Sequence, residues 1–597
     1  MLSRPLQILV CSTALFALPI ASAAVTAGKG SPARQNLDAA AIDNLFLAAK
    51  VWGYLKYHHP LVASGCLDWD RELLDTLPEI LDAPDGKRGQ KIVTSWIGDI
   101  QSKKRCPEGP AGERHLQPPT AWLGDADLLG KDLLRSLGSV ARSPRSWQQH
   151  YVSLTAGVGN PVFESEADYA DVDDFDWRYR LLALFRFWNV IEYWYPYRDV
   201  IGEDWDGVLR EFIPRLYSAE GRDAYVLETV QLVSRVHDGH ANLREAYYTR
   251  PPAGENLPPF DIRDVEGKPY VWRRFAMKQA DAPTPDAAAE DGLRYGDVIL
   301  EVDGKPADEI IRSALPYFGA SNEGSRRRQI TQMLLRGDTD HVSVRIERDG
   351  ETLTVSNRRI PQENLRIESG MWHDHTGPPF QWLSDEIAYL KISNVEKDQV
   401  DKYVEEAAGS KGLVIDARAY PSAFVVFRLG QHLIREPTSF VRFTHADLSN
   451  PGAFEWSEPL SIDPVAPAYD GRVVILVDES TLSSAEYHAM AFRAAPNAMV
   501  VGSQTAGADG NVSFLVLPGG LHTLMTGLGV FYPDKTPTQR TGIVPDIEVN
   551  PTVAGLREGR DEVLEVALRE IVGDAVPEDR IRRMASYNRE EKEEHEP

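Results

Sequence analysis

The chain has 597 residues, little cysteine and no excess of positive charge, and after its first 23 residues it lacks any long apolar run. Its net charge is −25 at pH 7, so nucleic acids and anionic membranes would repel it and are not expected partners. No later segment approaches the length needed to cross a bilayer, so no membrane span is predicted. A composition of 43% hydrophobic and 26% charged residues indicates globular domains, about three to five at this length.

The first 23 residues have the pattern of a secretory signal. Arg4 supplies the positive start, residues 6–20 are mostly apolar, and the small residues that end at Ala23 fit a cleavage site. We therefore expect cleavage near Ala23 and an exported mature protein, periplasmic or extracellular. Of the three cysteines, Cys66 and Cys106 would then lie in an oxidising compartment, where they could pair or remain free buried thiols.

Residues 39–69 have apolar side chains at helical spacing, and this part of the chain recurs further along. Eight residues recur 136 positions later without a gap, which predicts two copies of a helical unit before about residue 250. The shared residues are Trp52, Tyr57, Pro60, Asp68, Trp69, Asp70, Leu73 and Pro78, and their counterparts are Trp188, Tyr193, Pro196, Asp204, Trp205, Asp206, Leu209 and Pro214. His58 and His59 could bind a metal, but the second copy has Trp194 and Tyr195 there, so aromatic-like packing is favoured.

The most informative stretch is residues 471–511. It begins with a continuous apolar run, 473–477, typical of a strand buried on both faces, and a polar turn then leads into a segment with helical spacing. A second apolar run, 499–501, completes a strand–helix–strand unit. Ser483 lies where the helix begins, at the edge where α/β sheets place their chemistry and where free helical N–H groups point. We therefore interpret Ser483 as a nucleophile.

Residues 233–243 carry two histidines after a segment of helical spacing. Gly239 suits a helix C-cap, which would place His237 and His240 at a helix end. Zinc would need further ligands, and nothing nearby supplies an obvious set, so no metal site is predicted. His240 alone is a weak catalytic candidate, and it gains value only when it is paired with Ser483.

Residues 250–260 form a proline-rich connector that suggests a domain boundary. Beyond it, residues 290–306 resemble the second half of a PDZ domain, in which Gly-Asp, an apolar strand and an Asp-Gly turn follow in order. Tyr295 stands where proline is more usual. Such domains bind extended peptides by adding a strand to a sheet edge, so the resemblance implies a peptide or protein partner.

Four later segments together resemble one family: DARAYPSA at 416–423, TLSSAE at 481–486, GSQTAG at 502–507 and GIVPDIEV at 542–549. They are similar to the ordered motifs of the carboxy-terminal-processing and tricorn-type serine peptidases. With the PDZ-like region, the resemblance covers roughly residues 180–552. It implies a crotonase-like (ClpP/crotonase-type) α/β domain, in which the reactive serine lies three residues before a glutamate. That assigns the nucleophile to Ser483, before Glu486, over Ser480 or Ser484.

The chain departs from this family at the general base. The bacterial processing proteases have a lysine where this chain has Ala508, so a Ser–Lys dyad is excluded at this site. The tricorn branch instead uses a histidine in a context similar to DGHANL, which corresponds to His240, and a neutral imidazole can accept the serine proton near pH 7. The assisting carboxylate of that branch precedes the G-V-x-P-D segment by a few residues, where this chain has Gln539-Arg540-Thr541 and no acid. We expect Gln539, or the local alternative Asp238, to orient the histidine.

The resemblance also implies an oxyanion hole built from backbone N–H groups. One belongs to Ser484, directly after the nucleophile, and the other to the segment that is Gly-Gly in the family and Ser422-Ala423 here. Backbone donors survive a change of side chain if the turn keeps its dihedral angles. Losing one such donor costs on the order of 2.7–4 kcal/mol.

The predicted division is 1–23 signal peptide, 24–160 first helical unit, 161–255 second helical unit with His240, 256–361 PDZ-like domain, 362–575 α/β serine peptidase core and 576–597 charged tail. The predicted function is a secreted serine endopeptidase that forms an acyl-enzyme and needs no cofactor. Ser483 would be its nucleophile and His240 its base. The alternative, favoured by Ala508 and the lost Gly-Gly pair, is a weak or inactive peptide- or ligand-binding protein on the same fold.

Overall fold

The computed structural model describes residues 36–98, 112–141, 149–171, 176–278, 292–367 and 377–586. The predicted signal segment and Cys106 lie outside these ranges, and Cys66 is exposed. Across the described ranges, no helix combines the length and the apolar character that a bilayer crossing requires. The chain contains a helical region, a region built on an antiparallel sheet, and an α/β region built on a mostly parallel sheet.

The helical region comes first in the chain. Its elements are α1 (Ala39–His58), α2 (Pro60–Ala63), α3 (Trp69–Leu81), α4 (Gly86–Gly98), α5 (Ala126–Ala141), α6 (Trp177–Trp194), α7 (Trp205–Ser218) and α8 (Gly221–Ser234), with short strands β1 (Arg114–Leu116), β2 (Ser153–Leu154) and β3 (Pro161–Val162). The helix expected over residues 39–69 is broken after His58. The residue before a proline is pushed out of the helical conformation, and His59, before Pro60, is extended with φ −85° and ψ 122°.

Tryptophan pairs bond reciprocally in both copies of the recurring stretch. The indole Nε1 of Trp52 donates to the carbonyl oxygen of Trp69 at 3.1 Å, and that of Trp69 donates back to Trp52 at 3.0 Å. Trp188 and Trp205 make the same exchange at 2.7 and 3.2 Å. The equivalent contacts explain why these aromatic positions recur, since each indole N–H is buried and must find an acceptor.

Ion pairs cross between the two copies. Lys50 of the first copy contacts Asp206 of the second at 2.6 Å, and Arg186 of the second contacts Asp70 of the first at 2.6 Å. The two cations, Lys50 and Arg186, are 136 positions apart in the chain, and so are the two aspartates, Asp70 and Asp206. The two copies therefore face each other, with each supplying the cation for the other's aspartate.

The second region is built on an antiparallel sheet in the order β11-β10-β8-β6-β5. Its elements are β4 (Asn256–Leu257), β5 (Phe260–Val265), β6 (Lys268–Arg274), β7 (Ala276–Met277), β8 (Val298–Val302), β9 (Lys305–Pro306), α9 (Ala307–Ala314), α10 (Glu323–Thr331), β10 (His341–Arg348), β11 (Glu351–Arg358), β12 (Ile360–Pro361) and β13 (Leu365–Arg366). Burial alternates along β10, where Val342, Val344 and Ile346 are inaccessible. This face packs against Ile311 of α9 and Ile330 of α10.

The third region carries the predicted strand–helix–strand unit. Its elements are β14 (Phe380–Ser384), β15 (Ile387–Lys391), α11 (Val400–Ala407), β16 (Gly412–Asp416), α12 (Val426–Leu433), β17 (Thr438–Ala446), β18 (Phe454–Trp456), β19 (Leu460–Ile462), β20 (Arg472–Val477), α13 (Ser484–Arg493), β21 (Ala498–Gly502), β22 (Val512–Leu517), β23 (Leu521–Thr526), β24 (Gly529–Phe531), β25 (Ile547–Glu548), α14 (Val553–Arg557), α15 (Glu562–Val572) and α16 (Glu578–Ala585). The main sheet has the order β14-β15-β16-β20-β21-β25, parallel from β15 onward. Residues 473–477 have no exposed surface, as expected for a central parallel strand covered on both faces.

Two predicted boundaries are corrected. Helix α8 ends at Ser234, so Gly239 is not its C-cap, and His237 and His240 lie in the following loop instead of on a helix. At the other end, residues from 577 were expected to form a solvated tail, but part of them forms α16. Ile581 and Ala585 lie one turn apart in α16 and are buried in the same apolar cluster as α15, a helical spacing hidden among charged residues.

Candidate active site

Ser483 stands at the turn between β20 and α13, beside the carboxyl ends of the central parallel strands. Its backbone has φ 56° and ψ −119°, a conformation that residues with a side chain rarely adopt. The N–H group of Ser483 lies 3.0 Å from the carbonyl oxygen of Ala508 and 3.1 Å from Oε2 of Glu486. These two contacts hold the strained turn, and Ser483 itself is only half-buried.

The side chain of Glu486 organises the residues around this turn. Its Oε2 accepts from the N–H groups of Ser483 and Ala508, at 3.1 and 3.0 Å. Its Oε1 accepts from Oγ1 of Thr505 and the N–H group of Gly507, at 2.5 and 2.8 Å. Burial raises the pKa of Glu486 to about 7, and the four hydrogen bonds oppose that rise. One buried carboxyl group thus ties the serine turn to the loop after β21.

The two neighbouring serines have different surroundings. Ser480 is buried, and its Oγ donates to Oδ1 of Asp478 at 2.5 Å. Ser484 is the first residue of α13, and its Oγ lies 3.5 Å from Nδ1 of His488. Of the three serines, Ser483 therefore occupies the strained strand-to-helix position at which α/β hydrolytic enzymes present a nucleophile.

The backbone N–H groups predicted to form an oxyanion hole differ in availability. Within the described ranges, no acceptor is bonded to the N–H group of Ser484 at the start of α13. The N–H group of Ser422 donates to the carbonyl oxygen of Ile392 at 3.0 Å. The N–H group of Ala423 has no acceptor among the described residues. The candidate donors are therefore narrowed to Ser484 and Ala423. The prediction that Ser422 supplies an oxyanion donor is therefore wrong, because its N–H group anchors the loop instead.

His240 lies in the loop after α8 and is oriented through a threonine. Its Nδ1 is 2.8 Å from Oγ1 of Thr526, and that hydroxyl donates to Oδ1 of Asp238 at 2.9 Å. The Thr526 hydroxyl has one proton and gives it to the carboxylate, so it accepts from His240 Nδ1–H. Nε2 of His240 is then the unprotonated nitrogen, which is the form that a general base requires.

The charge state of His240 follows from its surroundings. Its side chain is 9% exposed. Burial lowers the pKa of His240, and the carboxylate of Asp238, 3.8 Å from Nδ1, opposes that lowering. The net direction is downward from the ordinary value, so the imidazole is neutral at pH 7.

The serine and histidine segments meet at Ala508. A Cβ atom built on Gly239 would lie 2.9 Å from Cβ of Ala508 and 3.7 Å from Cδ1 of Leu482. The two small residues allow the histidine loop to reach the position of the absent lysine. Among the described hydrogen bonds, however, none joins Ser483 to His240 directly, so the structure brings the two segments together without bonding the two side chains.

Among the described residues, no hydrogen bond joins Gln539 to the ring of His240. Its Nε2 lies 3.1 Å from the hydroxyl of Tyr195 and 3.3 Å from Oγ of Ser321. The same Ser321 oxygen accepts from the N–H group of Gly239 at 2.8 Å. Gln539 therefore supports the backbone of the histidine loop, and the ring contacts favour the alternative partner, Asp238.

Thr526 is the residue of this site that sequence reasoning missed. It ends β23, 286 positions from His240 in the chain, and no motif marks it. An isolated bridge between Leu243 and Thr523 places the β22–β23 hairpin beside the histidine loop. Asp238 also accepts from the N–H group of Thr526 at 2.6 Å, which fixes the hydroxyl next to the ring.

Two further polar side chains adjoin the serine turn. Burial raises the pKa of the Tyr420 phenol, and a hydrogen bond between that phenol and Ser483 opposes the rise. Asp509 is buried, and its Oδ1 accepts from the N–H group of Gly510 at 2.7 Å, while Oδ2 has no partner among the described residues. Burial and the nearby Glu486 raise the pKa of Asp509 well above its usual range. Neither residue was singled out from the sequence.

Within the described ranges, no three His, Cys, Asp or Glu side chains are grouped so as to hold a metal ion. His237, which sequence spacing set beside His240, is bonded through both ring nitrogens. Its Nε2 lies 2.9 Å from Oε1 of Glu203, and its Nδ1 lies 2.9 Å from Nη2 of Arg326. These contacts indicate a structural role for His237, and neither of them involves the serine turn.

Residues 386–549 match the family model of peptidase family S41. The matched range contains the Ser483 turn, Glu486, Ala508 and Gln539. Residues 386–549 are an S41 peptidase domain. The resemblance to carboxy-terminal-processing and tricorn-type peptidases is therefore confirmed, and the domain is that of a serine-type peptidase. His240 lies outside the matched range, in the loop that follows α8 of the helical region.

Comparison with whole proteins agrees with the S41 domain. The chain is 23% identical to tricorn protease homolog 2 of Streptomyces coelicolor over 396 residues, which are 63% of this chain and 31% of that protein. It thus spans about a third of the length of this curated relative. Its fold is similar to that of mature CPAF, with a TM-score of 0.51 and 14% identity over 67% of this chain and 99% of that one.

A photosystem II D1 C-terminal processing protease also matches, at 18% identity and a TM-score of 0.37 over 67% of this chain and 98% of that one. The likeness to CPAF covers 67% of this chain, more than residues 386–549, so the S41 domain is part of a larger multidomain fold.

Proposed function

We propose that this chain is an exported serine endopeptidase that hydrolyses peptide bonds through an acyl-enzyme, with Ser483 as nucleophile and His240 as general base. The observation that carries the proposal is the strained backbone of Ser483 at a strand-to-helix turn, next to the unbonded N–H group of Ser484. Strain of this kind costs of order 1–3 kcal/mol and persists where the surroundings enforce it, as Glu486 and Ala508 do here.

In the first step, Oγ of Ser483 attacks the carbonyl carbon of the scissile peptide bond, and its proton moves to Nε2 of His240. The carbonyl oxygen becomes an oxyanion, which the N–H groups of Ser484 and Ala423 stabilise. His240 then returns the proton to the leaving amine as the C–N bond breaks, which leaves an ester on Ser483. Because no hydrogen bond joins the two side chains in the described structure, the serine–histidine contact must tighten when substrate binds.

In the second step, water attacks the ester carbonyl while His240 accepts its proton. The same N–H groups stabilise the second oxyanion. Collapse of this intermediate releases the carboxylic acid product and returns the proton to Oγ of Ser483. Besides the peptide, the two steps consume one molecule of water, and Ser483 and His240 return to their starting state.

We further propose that Thr526 and Asp238 together orient the ring of His240, a role that a single carboxylate has in other serine peptidases. Asp238 accepts the Thr526 proton, so Thr526 accepts from Nδ1–H of His240 and keeps Nε2 available. The carboxylate also counteracts the effect of burial on the pKa of His240, which favours transient protonation during the reaction. The region of residues 256–361, with its PDZ-like sequence, would present peptide or protein substrates.

A fluorophosphonate probe tests the nucleophile and its base. The probe phosphonylates a serine only when the hydroxyl is activated, and mass spectrometry of the labelled peptide identifies the residue. We expect wild-type protein to be labelled at Ser483, with labelling lost in Ser483→Ala and in His240→Ala. Members of such a unit are interdependent, and removing either costs several orders of magnitude in rate.

The labelling result also decides between the two functional classes. Equal labelling of wild type and Ser483→Ala would overturn the assignment of Ser483. An unlabelled wild-type protein that still binds peptides would instead support a binding protein on the peptidase fold.

A matched pair of threonine variants tests the relay. Thr526→Val removes the hydroxyl and keeps the shape of the side chain, whereas Thr526→Ser keeps the hydroxyl. We expect Thr526→Val to lower kcat by roughly 10²–10⁴-fold, the usual contribution of general base catalysis, and Thr526→Ser to stay near wild type. Equal activity of the two variants would remove Thr526 from the mechanism.

A further inference from the structure

His488 lies in α13, five residues after Ser483, and its side chain is inaccessible to solvent. The imidazole sits between two aromatic rings, with centroid distances of 5.4 Å to Phe424 and 5.8 Å to Phe492. The structure gives it contacts that reach outside the helix.

Each ring nitrogen of His488 bonds to a backbone group. Nδ1 lies 2.5 Å from the carbonyl oxygen of Ser484, and Nε2 accepts from the N–H group of Val425 at 3.0 Å. A carbonyl oxygen only accepts and an N–H group only donates, so Nδ1 carries the proton and Nε2 does not. The contacts therefore specify one neutral tautomer.

These two contacts connect the two segments that supply the candidate oxyanion donors. Ser484 offers its N–H group at the start of α13, and its carbonyl oxygen is held by His488. Ala423 lies two residues before Val425, in the loop that leads into α12. A single imidazole thus bridges the start of α13 and the end of this loop.

We infer that His488 is a positioning residue that holds the two halves of the oxyanion hole at a fixed separation. The inference rests on the proposed function, because it concerns the N–H groups that stabilise the oxyanion there. His488 touches neither the substrate nor the reacting atoms. It acts through the backbone at Ser484 and Val425.

The protonation state of His488 is consistent with this role. Burial lowers the pKa of His488 to about 4, while the carbonyl oxygens of Ser484 and Ala423 oppose that lowering. No charged side chain of the described residues contributes to the shift. The ring is therefore neutral at pH 7, and Nε2 keeps the lone pair that accepts from Val425.

Three single variants separate the two contacts of His488. His488→Phe removes both hydrogen bonds and keeps an aromatic ring against Phe424 and Phe492. In His488→Asn, the side-chain nitrogen takes the place of Nδ1 and can still donate to Ser484, but the side chain is too short to reach Val425. In His488→Gln, the side-chain oxygen takes the place of Nε2 and can still accept from Val425.

The readouts are the rate of fluorophosphonate labelling at Ser483, and kcat and KM on a peptide that the wild type cleaves. We expect His488→Phe and His488→Asn to react about 10²-fold more slowly, the effect of losing one oxyanion donor, and His488→Gln to recover most of the rate. The loss should fall on kcat and leave KM nearly unchanged, because the oxyanion exists only after attack. Circular dichroism verifies that each variant is folded.

The outcomes separate failure of the inference from failure of the proposed function. A wild-type protein that is not labelled at Ser483 overturns the proposed function. A labelled wild type with an equally fast, folded His488→Phe overturns the inference alone. If His488→Phe does not fold, His488→Asn and His488→Gln decide: a faster Gln variant supports the bridge to Val425, and equal rates overturn it.

Discussion

Two groups of buried acidic side chains in this molecule differ in their partners: one group contacts buried cations, and the other is bonded to neutral N–H and hydroxyl groups. In the helical region, Asp70 and Glu166 contact the buried cations Lys56 and Arg186 at distances of 2.6–3.5 Å. Burial opposes the ionisation of Asp70, but the charges of Lys56 and Arg186 outweigh it and hold the pKa of Asp70 below its usual range. The carboxylate of Asp70 is therefore charged, and two buried cations compensate its charge.

Beside the serine turn, Glu486 and Asp509 form no ion pair with a cation of the described residues. Glu486 is bonded to three backbone N–H groups and one hydroxyl, and Asp509 to one N–H group. Burial raises the pKa of both side chains. The difference separates a cluster that joins the helices from two acids beside the serine turn whose ionisation is opposed by burial, as is typical of functional sites.

The largest expected effect is on the compensated cluster. Asp70→Asn removes a negative charge that compensates the buried cations Lys56 and Arg186. Removing one partner of a buried ion pair destabilises the folded protein by about 3–5 kcal/mol. We expect a loss of that order in the free energy of unfolding, measured with urea. Arg71→Met is the control, because Arg71 contacts Asp75 at the surface and its loss should leave the unfolding midpoint unchanged.

The second effect is a pH dependence that arises from Glu486. The pKa of its side chain is about 7 when folded against 4.5 as the ordinary value, so the folded state binds more protons between these pH values. Its contribution to stability is thus full below pH about 4.5 and is lost as pH rises through about 7. Relative to Glu486→Gln, the wild type should lose up to about 3 kcal/mol between pH 5 and 8 in urea unfolding. Parallel curves for the two proteins would refute this.

A smaller effect is expected for Glu486→Gln itself at pH 5. The amide nitrogen of glutamine has no lone pair for an N–H donor, so one of the backbone groups bonded to Glu486 is left without an acceptor. Leaving a buried donor unsatisfied costs about 1–3 kcal/mol. The free energy of unfolding should fall by that amount, and labelling of Ser483 should slow because its turn loses a support. Unchanged stability and labelling would show that Glu486 does not hold the turn.

The smallest effect is expected for Asp509→Asn, the same chemical change as in Asp70→Asn. Because burial and the nearby Glu486 hold the pKa of Asp509 well above its usual range, replacing it with a neutral amide removes less charge than the same change at Asp70. We expect the free energy of unfolding to change by less than about 1 kcal/mol. Equal losses for the two aspartate-to-asparagine variants would erase the distinction between the clusters.

Much of the fold could be predicted because its signals are local. The apolar run 473–477, the turn after it and the helix that starts at Ser484 follow one another in the chain, so a short segment specifies them. The recurring tryptophans lie in helical segments and make equivalent hydrogen bonds in both. Predictions failed where local spacing was misleading, as at Gly239, which follows α8 by several residues, and in α16, where charged residues surround a buried apolar face.

The position of Ser483 at a strand-to-helix turn could be predicted from the sequence, whereas the residues that support this turn and His240 could not. Family motifs pointed to Ser483 and His240, and the structure brings their segments together at Ala508. The motif position of Gln539 suggested a partner for the histidine ring, but its side chain bonds to Tyr195 and Ser321 instead. Side-chain partners of this kind are chosen by packing, which motif order does not encode.

By itself, the sequence determined the order of strands and helices around Ser483, the S41 motifs and the absence of a lysine at position 508. Only the tertiary structure decided that Thr526 lies between Asp238 and His240. It alone decided that the Ser422 N–H group is occupied and that His488 bridges two loops. These contacts join segments up to 288 residues apart in the chain. Hydrogen bonds over such separations depend on how whole regions pack, so no local pattern of residues specifies them.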